Sequence, residues 1–247
     1  MLPHPARPPS PCYNLAMRLS ALWWLGGGLA AAALAYWQVV LAEGAYLGPW
    51  AVRLVYTLGA RHYDAVRAPA QASADAALRP LLAAALSSTA RPRILDVATG
   101  TGRVPLLLAS DPAFSGQVAA LDLTLPMLHE ARRKEQAQGA GGAALWHQAE
   151  AGNLPWAGGV FDLATCLEAL EYFPRPRRAL AELARALRPG GALLLSKVPD
   201  RWALLLPGRA LTTRALRREL GRLGFADIDV LPWQPGHYEL VVARKQG

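Results

Sequence analysis

Residues 94–104 combine one acidic side chain with a run of small residues, and this combination could bind a ligand close to the main chain. Asp96 follows two apolar residues, and Ala98, Gly100 and Gly102 then occupy every second position. The pattern predicts a buried strand, a tight turn and a helix that begins just after the last glycine. Small residues suit such a turn because a Cβ atom would keep a ligand away from the backbone.

Other features of this turn narrow the kind of ligand. A phosphate-binding P-loop requires a lysine after its glycines, and none follows here. A dinucleotide site requires a third glycine, and Pro105 stands at that position. Asp96 would repel a pyrophosphate but suits the amino group of a cationic ligand. The turn therefore favours S-adenosylmethionine over NAD; a glycine-rich turn with a purely structural role is the alternative.

A second carboxylate lies 20 residues beyond Gly102, where Asp122 ends the apolar run 117–122. A strand ending there would bring the carboxylate to the ribose of the same ligand, where it could accept hydrogen bonds from both hydroxyls. Further strand-like runs follow at residues 144–148, 160–166 and 192–198, with helical runs at 127–138 and 176–187. This alternation predicts an α/β fold with a doubly wound sheet.

In this order the residues resemble class I S-adenosylmethionine-dependent methyltransferases. Within that family they are similar to the small-molecule group that includes the ubiquinone and menaquinone biosynthesis methyltransferases. The resemblance covers roughly residues 60–245, and it lies in five motifs at 95–102, 121–128, 150–156, 161–162 and 187–191. It implies S-adenosylmethionine as the cofactor and a Rossmann-like sheet of seven strands.

The C-terminal part fits the same architecture. A helix capped by Thr212 or Thr213 is expected to end near Gly224. By the resemblance, residues 226–231 and 238–244 then form an antiparallel hairpin at the edge of the sheet. Residues 188–191 are expected to form a turn before the fifth strand.

The resemblance also implies which residues contact the cofactor. They are Asp96, Ala98, Gly100, Thr101, Gly102, Asp122, Leu123, Met127, Glu150, Ala151, Cys166 and Leu167. Two of these positions depart from the usual family pattern. Ala98 replaces the commoner glycine, which we expect to cost little, and Glu150 stands where the family usually has the shorter aspartate.

Three side chains just beyond the fourth predicted strand are candidates for catalysis: Glu168, Glu171 and Tyr172. Sheets of this kind bind ligands at the carboxyl edge, where this segment would lie. The alternative for Glu171 is an ordinary solvent-exposed acid at the start of a helix, and His147 is expected to be structural. No catalytic base is assigned. No metal site is predicted, because the five histidines lack ligand spacing.

The first 42 residues differ in composition from the rest of the chain. Residues 1–18 are predicted to form a disordered, proline-rich tail, and residues 19–42 contain no charged side chain. A helix of these 24 residues would be about 36 Å long, enough to cross a bilayer core of about 30 Å. We therefore predict a transmembrane anchor. A cleaved signal peptide and a buried or lid helix of a soluble enzyme are the alternatives.

Residues 43–90 are predicted to form a linker and cap helices, before a cofactor-binding domain at 91–247. The apolar segment 44–60 could follow the membrane surface, return through the bilayer or cover the active site. Because S-adenosylmethionine is made inside cells, the domain is expected to face the cytoplasm. A single span and a hairpin are both compatible with the sequence.

The formal net charge of +8 is compatible with nucleic acid or with an anionic membrane face. The basic residues are scattered without interleaved aromatic residues, so no nucleic-acid partner is expected. The sequence thus predicts a methyltransferase at the membrane that acts on a small, lipophilic acceptor. The alternative from another functional class is a membrane-tethered S-adenosylmethionine-binding scaffold or assembly factor without transfer activity.

Overall fold

The apolar runs form one mixed sheet, and helices pack on both of its faces. The computed structural model describes residues 11–139, 141–142 and 144–247. The strands are β1 (Arg93–Val97), β2 (Gln117–Asp122), β3 (Ala144–Gln148), β4 (Phe161–Cys166), β5 (Leu187–Lys197), β6 (Phe225–Gln234) and β7 (Tyr238–Lys245). Their order is β3-β2-β1-β4-β5-β7-β6. Because β7 is antiparallel to β5 and β6, the predicted Rossmann-like sheet with a C-terminal hairpin is confirmed.

Helices of very different length precede the sheet and connect its strands. They are α1 (Pro11–Tyr36), α2 (Pro49–Gly59), α3 (Tyr63–Leu86), α4 (Arg103–Ala109), α5 (Leu125–Ala137), α6 (Pro176–Ala186), α7 (Asp200–Ala203) and α8 (Thr213–Arg222). A π-helical turn covers Trp37–Leu41, and 3-10 turns cover Ala45–Leu47 and Leu170–Tyr172. The predicted cap of α8 is present, since the Thr212 side chain accepts a hydrogen bond from the Ala215 N–H.

Alternate residues of β1 enter opposite sides of the core. Leu95 packs on the side covered by α6 and α8, whereas Ile94 packs on the side covered by α3 and α4. This period of two places Asp96 on the same side as Ile94, at the carboxyl end of the central strand. The direction of strand order reverses between β1 and β4, and ligands of such sheets bind in the crevice at this point.

The start of β5 differs from the prediction. The strand already pairs with β4 at Leu187 and Phe161, and after an irregularity the pairing resumes at Ala192. The predicted turn at 188–191 is therefore an insertion within the strand. Gly190, with a φ of +74°, allows the chain to loop out and return to the same neighbour.

The segment up to Glu43 forms one compact unit, and Gly44–Gly247 forms another. In the first unit α1 begins at Pro11, within the predicted disordered tail; residues 1–10 of that tail lie outside the described residues. Trp23–Leu41 is long and apolar enough to cross a membrane, with a mean hydropathy of 1.4. Its side chains include exposed tryptophans and leucines. A signal sequence near an N-terminus can meet the same criteria of length and composition.

Candidate functional site

Three left-handed residues shape the turn after β1. Ala98, Gly100 and Gly102 have φ angles of +57°, +56° and +85°. A Cβ atom on Gly102 would lie 2.8 Å from the Trp146 ring, so close packing favours glycine at this position. A Cβ atom on Gly100 would meet nothing closer than Tyr63 Cε1 at 4.0 Å among the described residues. Gly100 is therefore the position at which a ligand can approach the main chain.

Ala98 carries a backbone cost that its sequence context does not reveal. Its φ of +57° lies in a region about 1–2 kcal/mol less favourable for residues with a Cβ atom. The expectation that this substitution costs little is therefore wrong. The strained residue lines the site, as residues held in this region often do.

Two adjoining cavities lie over the glycine turn, with volumes of about 550 Å³ and about 60 Å³. Among the predicted cofactor residues, the larger cavity is lined by Ala98, Gly100, Asp122, Leu123, Glu150, Ala151 and Leu167. The smaller cavity is lined by Asp96, Ala98, Gly100, Thr101 and Leu167. The larger volume lies within the range of sites for small ligands and cofactors.

Asp96 lies at the smaller cavity and is only 2% exposed. Its carboxylate accepts hydrogen bonds from the Thr99 hydroxyl at 2.6 Å and from the Thr165 hydroxyl. Burial raises the pKa of Asp96 to about 6, against the opposing effect of the two hydroxyls. A cationic amino group placed beside it would stabilise the ionised form.

Asp122 lies at the larger cavity and organises the glycine turn. Its Oδ2 accepts a hydrogen bond from the Gly100 N–H at 2.9 Å, and its Oδ1 accepts one from the Thr124 N–H at 2.8 Å. Burial raises the pKa of Asp122, while these N–H groups act in the opposite direction. Each carboxylate oxygen can accept a further hydrogen bond, so the same side chain can also bind ribose hydroxyls.

Three of the predicted cofactor residues do not line either cavity. Gly102 packs under Trp146, and Met127 is fully buried on α5. Cys166 is fully buried in the core, and burial raises the pKa of its thiol. These three residues pack within the elements that carry the site.

The structure gives Glu168 a network of polar partners. Its carboxylate accepts hydrogen bonds from Arg67, from Gln234 and, at 2.7 Å, from Arg103. Its N–H donates to the Ser196 hydroxyl at 2.6 Å, and its φ is +54°. Glu168 lines both cavities, so this network forms part of their walls.

The other two candidates for catalysis have different surroundings. Glu171 is 2% exposed, so the alternative of a solvent-exposed acid is wrong. Its carboxylate accepts a hydrogen bond from the Tyr238 hydroxyl at 2.7 Å. Burial first, and this carboxylate second, raise the pKa of Tyr238 well above its ordinary value. Tyr172 lines the larger cavity, whereas Glu171 does not.

The start of α3 packs over the glycine turn and forms part of the cavity wall. Its side chains were not among the site residues predicted from the sequence. Tyr63 lines both cavities. Asp64 accepts hydrogen bonds from the Thr101 hydroxyl at 2.6 Å and from Lys134 Nζ at 2.8 Å. Together with the ion pair between Arg67 and Glu168, these contacts hold α3 over the glycine turn. The sequence feature that could have indicated these residues is the cluster of polar side chains at the start of an alanine-rich helix.

Comparisons with known proteins agree with this geometry. Residues 95–195 match a family described as a methyltransferase domain. The chain is 40% identical over 107 residues to a demethylmenaquinone methyltransferase of Thermus thermophilus, covering 43% of this chain and 47% of that protein. It is 36% identical over 111 residues to the ubiquinone/menaquinone biosynthesis C-methyltransferase UbiE of a Ruegeria species, covering 44% of each. Over residues 95–195 the chain therefore resembles class I S-adenosylmethionine-dependent methyltransferases.

The likeness to solved structures agrees with this resemblance. Magnesium protoporphyrin IX methyltransferase from Synechocystis PCC 6803, crystallised with bound SAH, superposes with a TM-score of 0.61 at 20% identity. The match covers 79% of this chain and 98% of that one. At this identity the likeness establishes the fold alone. The chain spans slightly less than half the length of the curated relatives named above.

The cofactor of this family is S-adenosylmethionine, and the residues present fit it. The space over Gly100 leaves room for a ligand against the main chain. Two buried carboxylates, Asp96 and Asp122, flank that space, one at each cavity. The first suits the amino group of the cofactor and the second its ribose hydroxyls.

Proposed function

We propose that the protein transfers a methyl group from S-adenosylmethionine to a small, lipophilic acceptor at a membrane. The observation that carries the proposal is the two-sided lining of the larger cavity. The lining includes the glycine turn and Asp122, and it also includes Pro49, Val52, Tyr56, Tyr172 and Phe173, which we take as the acceptor side. An acceptor beside the bound cofactor would therefore contact mainly apolar and aromatic side chains.

The curated relatives support this class of acceptor. They are named for methylation in menaquinone and ubiquinone biosynthesis, and the matched region carries the cofactor site. The cap that lines the acceptor side, including α2, lies outside the matched residues 95–195. The chemical class of the acceptor thus comes from the relatives and from the lining of the cavity together.

The protein's contribution to transfer would be mainly positioning. Bound S-adenosylmethionine supplies a methyl group that its positively charged sulfur activates for displacement. Correct orientation of the reacting groups can be worth about 7–11 kcal/mol. The Tyr56 ring packs 6.1 Å from that of Tyr63 and 6.4 Å from that of Tyr172, so the three rings form one aromatic cluster in the cavity wall that an acceptor would contact.

Of the three candidates for catalysis, Tyr172 is proposed to touch the acceptor, because it lines the acceptor side of the larger cavity. Glu168 is proposed as a positioning residue, since both its carboxylate oxygens accept hydrogen bonds within the site. Glu171 does not line the cavity and accepts a hydrogen bond from the Tyr238 hydroxyl. We propose that it positions its neighbour Tyr172.

The N-terminal unit is proposed to anchor the protein, with the catalytic unit facing the cytoplasm. Trp23–Leu41 has the length and hydropathy of a membrane span. Exposed apolar side chains on this segment would be more stable in lipid than in water. The cytoplasmic orientation follows from the cellular source of S-adenosylmethionine.

A transfer assay on the reconstituted full-length protein tests this proposal. S-adenosylmethionine labelled in its methyl group is incubated with the protein and a membrane lipid extract, and label is expected in an extractable lipid. Gly100→Ala should abolish labelling, because the new methyl group enters the cavity. Gly139→Ala is the matched control, because its φ of +67° imposes similar strain and it lines neither cavity. Cofactor binding without transfer to any lipid would contradict the proposal and favour the scaffold alternative.

A further inference from the structure

The outer face of α2 carries a row of exposed apolar side chains. Trp50, Leu54 and Leu58 are 63%, 50% and 73% exposed, and their four-residue spacing places them on one face of the helix. Leu47, in the turn before α2, is also exposed. Single exposed apolar residues are ordinary, but a contiguous row marks an interaction surface.

The inner face of the same helix forms part of the cavity wall. Pro49, Val52 and Tyr56 line the larger cavity, and Ala51 is buried. The helix is therefore apolar on both faces, one toward the cavity and one outward. A lid that contacted only water would carry polar residues on its outer face.

A second apolar segment belongs to the same cap. The Tyr46 hydroxyl donates a hydrogen bond to the Pro207 carbonyl at 2.8 Å, and Arg209 Nη2 donates one to the Ala45 carbonyl at 2.7 Å. These bonds tie the turn before α2 to the segment that contains Leu204, which is 86% exposed. The outward apolar surface thus extends beyond one helix.

The charges around this surface favour an anionic partner. Arg53 and Arg61 are exposed beside the row, and residues 44–62 contain no Asp or Glu. Tryptophan and leucine flanked by arginine are typical of helices that lie on anionic lipid. The candidate span ends at Leu41, and the chain from there to Pro49 reaches at most about 28 Å, so a bilayer holding the span lies within reach.

We propose that α2 is an interfacial helix whose outer face, formed by Trp50, Leu54 and Leu58, contacts the surface of an anionic bilayer. This inference rests on the proposed function in one respect, namely that the acceptor in the larger cavity is lipophilic. Such a ligand could then pass between the bilayer and the cavity without crossing water. The contact supplies a second attachment, distinct from the N-terminal helix.

Photocrosslinking in the full-length protein tests the contact directly. A diazirine amino acid replaces Leu54 or Leu58 in protein reconstituted into labelled phosphatidylglycerol–phosphatidylcholine vesicles. The matched control is the same replacement at Leu145, which is 55% exposed on β3. Several-fold more lipid crosslinking on α2 is expected. A yield no higher than at the control position, or crosslinking to a second copy of the chain, overturns the proposal.

Two further measurements complete the test. The crosslinking yield on α2 should fall in vesicles of phosphatidylcholine alone, and an unchanged yield would overturn the assignment to anionic lipid. Methyl transfer by the unsubstituted protein is measured in the same vesicles. Methyl transfer without crosslinking on α2 would overturn the interfacial helix and support the proposed function. Crosslinking on α2 without methyl transfer would support the interfacial helix and contradict the proposed function.

Discussion

Replacing Asp96 by asparagine should stabilise the protein and weaken cofactor binding at the same time. The folded-state pKa of Asp96 is about 6, compared with an ordinary value of 3.8. The folded protein therefore binds more protons between these values, and this group's contribution to the free energy of unfolding falls as the pH rises through that window. Above pH 6 the ionised carboxylate costs about 3 kcal/mol, from about 1.36 kcal/mol per pKa unit. Asp96→Asn removes that cost while Thr99 and Thr165 can reorient their hydroxyls toward the amide.

Cofactor affinity should change in the opposite direction. Loss of a hydrogen bond to a charged group costs roughly 1.5–3 kcal/mol, which corresponds to about a tenfold to hundredfold loss of affinity. The wild-type affinity should also fall below about pH 6, because Asp96 must ionise to pair with the amino group of S-adenosylmethionine. The variant should not show this pH dependence.

Urea unfolding of the full-length protein in detergent, followed by tryptophan fluorescence, measures the first effect, and calorimetry measures the second. The stability gain of Asp96→Asn should appear at pH 7.5 and vanish at about pH 4. Asp229→Asn, on an exposed strand position, is the control and should change neither quantity. A variant that is less stable than wild type at pH 7.5, or that binds the cofactor equally well, would refute this assignment of Asp96.

Three further predictions concern other parts of the chain. Asp122→Asn should lower cofactor affinity by roughly 1.5–3 kcal/mol in calorimetry, and an unchanged affinity would exclude the ribose role. Arg103→Met should lower the free energy of unfolding by about 3 kcal/mol, because it removes a partner of the buried Glu168. Adding Glu168→Gln should recover part of the loss. Strictly additive effects of the two substitutions on the free energy of unfolding would contradict this coupling. The full-length chain should resist alkaline carbonate extraction from membranes, whereas a chain beginning at Gly44 should be released. A full-length chain found wholly in the soluble fraction would contradict the anchor.

The strand and helix pattern could be predicted because it depends on neighbours in sequence. The short apolar run of β1 predicts a strand that is buried on both faces, and the glycines after it predict a turn that suits a ligand. Asp96 and Asp122 could be found in the same way, since each directly ends or nearly ends an apolar run. The insertion in β5 was missed because its proline and glycines have the composition of an ordinary turn.

The environments of the site residues could not be predicted, because their partners are remote in sequence. Glu168 lies 101 residues from Arg67, and Glu171 lies 67 residues from Tyr238.

The sequence by itself predicted the resemblance to class I methyltransferases, the cofactor and the succession of strands and helices along the chain, since these follow from local patterns in which small, apolar and acidic residues recur at set spacings. Tertiary structure alone decided which of these residues reach the cavity, as shown by Gly102, which packs under Trp146. It also decided that α2 is apolar on both faces, one lining the cavity and one exposed. The physical reason is that burial, pKa and cavity shape depend on atoms brought together by folding, and a linear pattern does not specify which distant atoms those are.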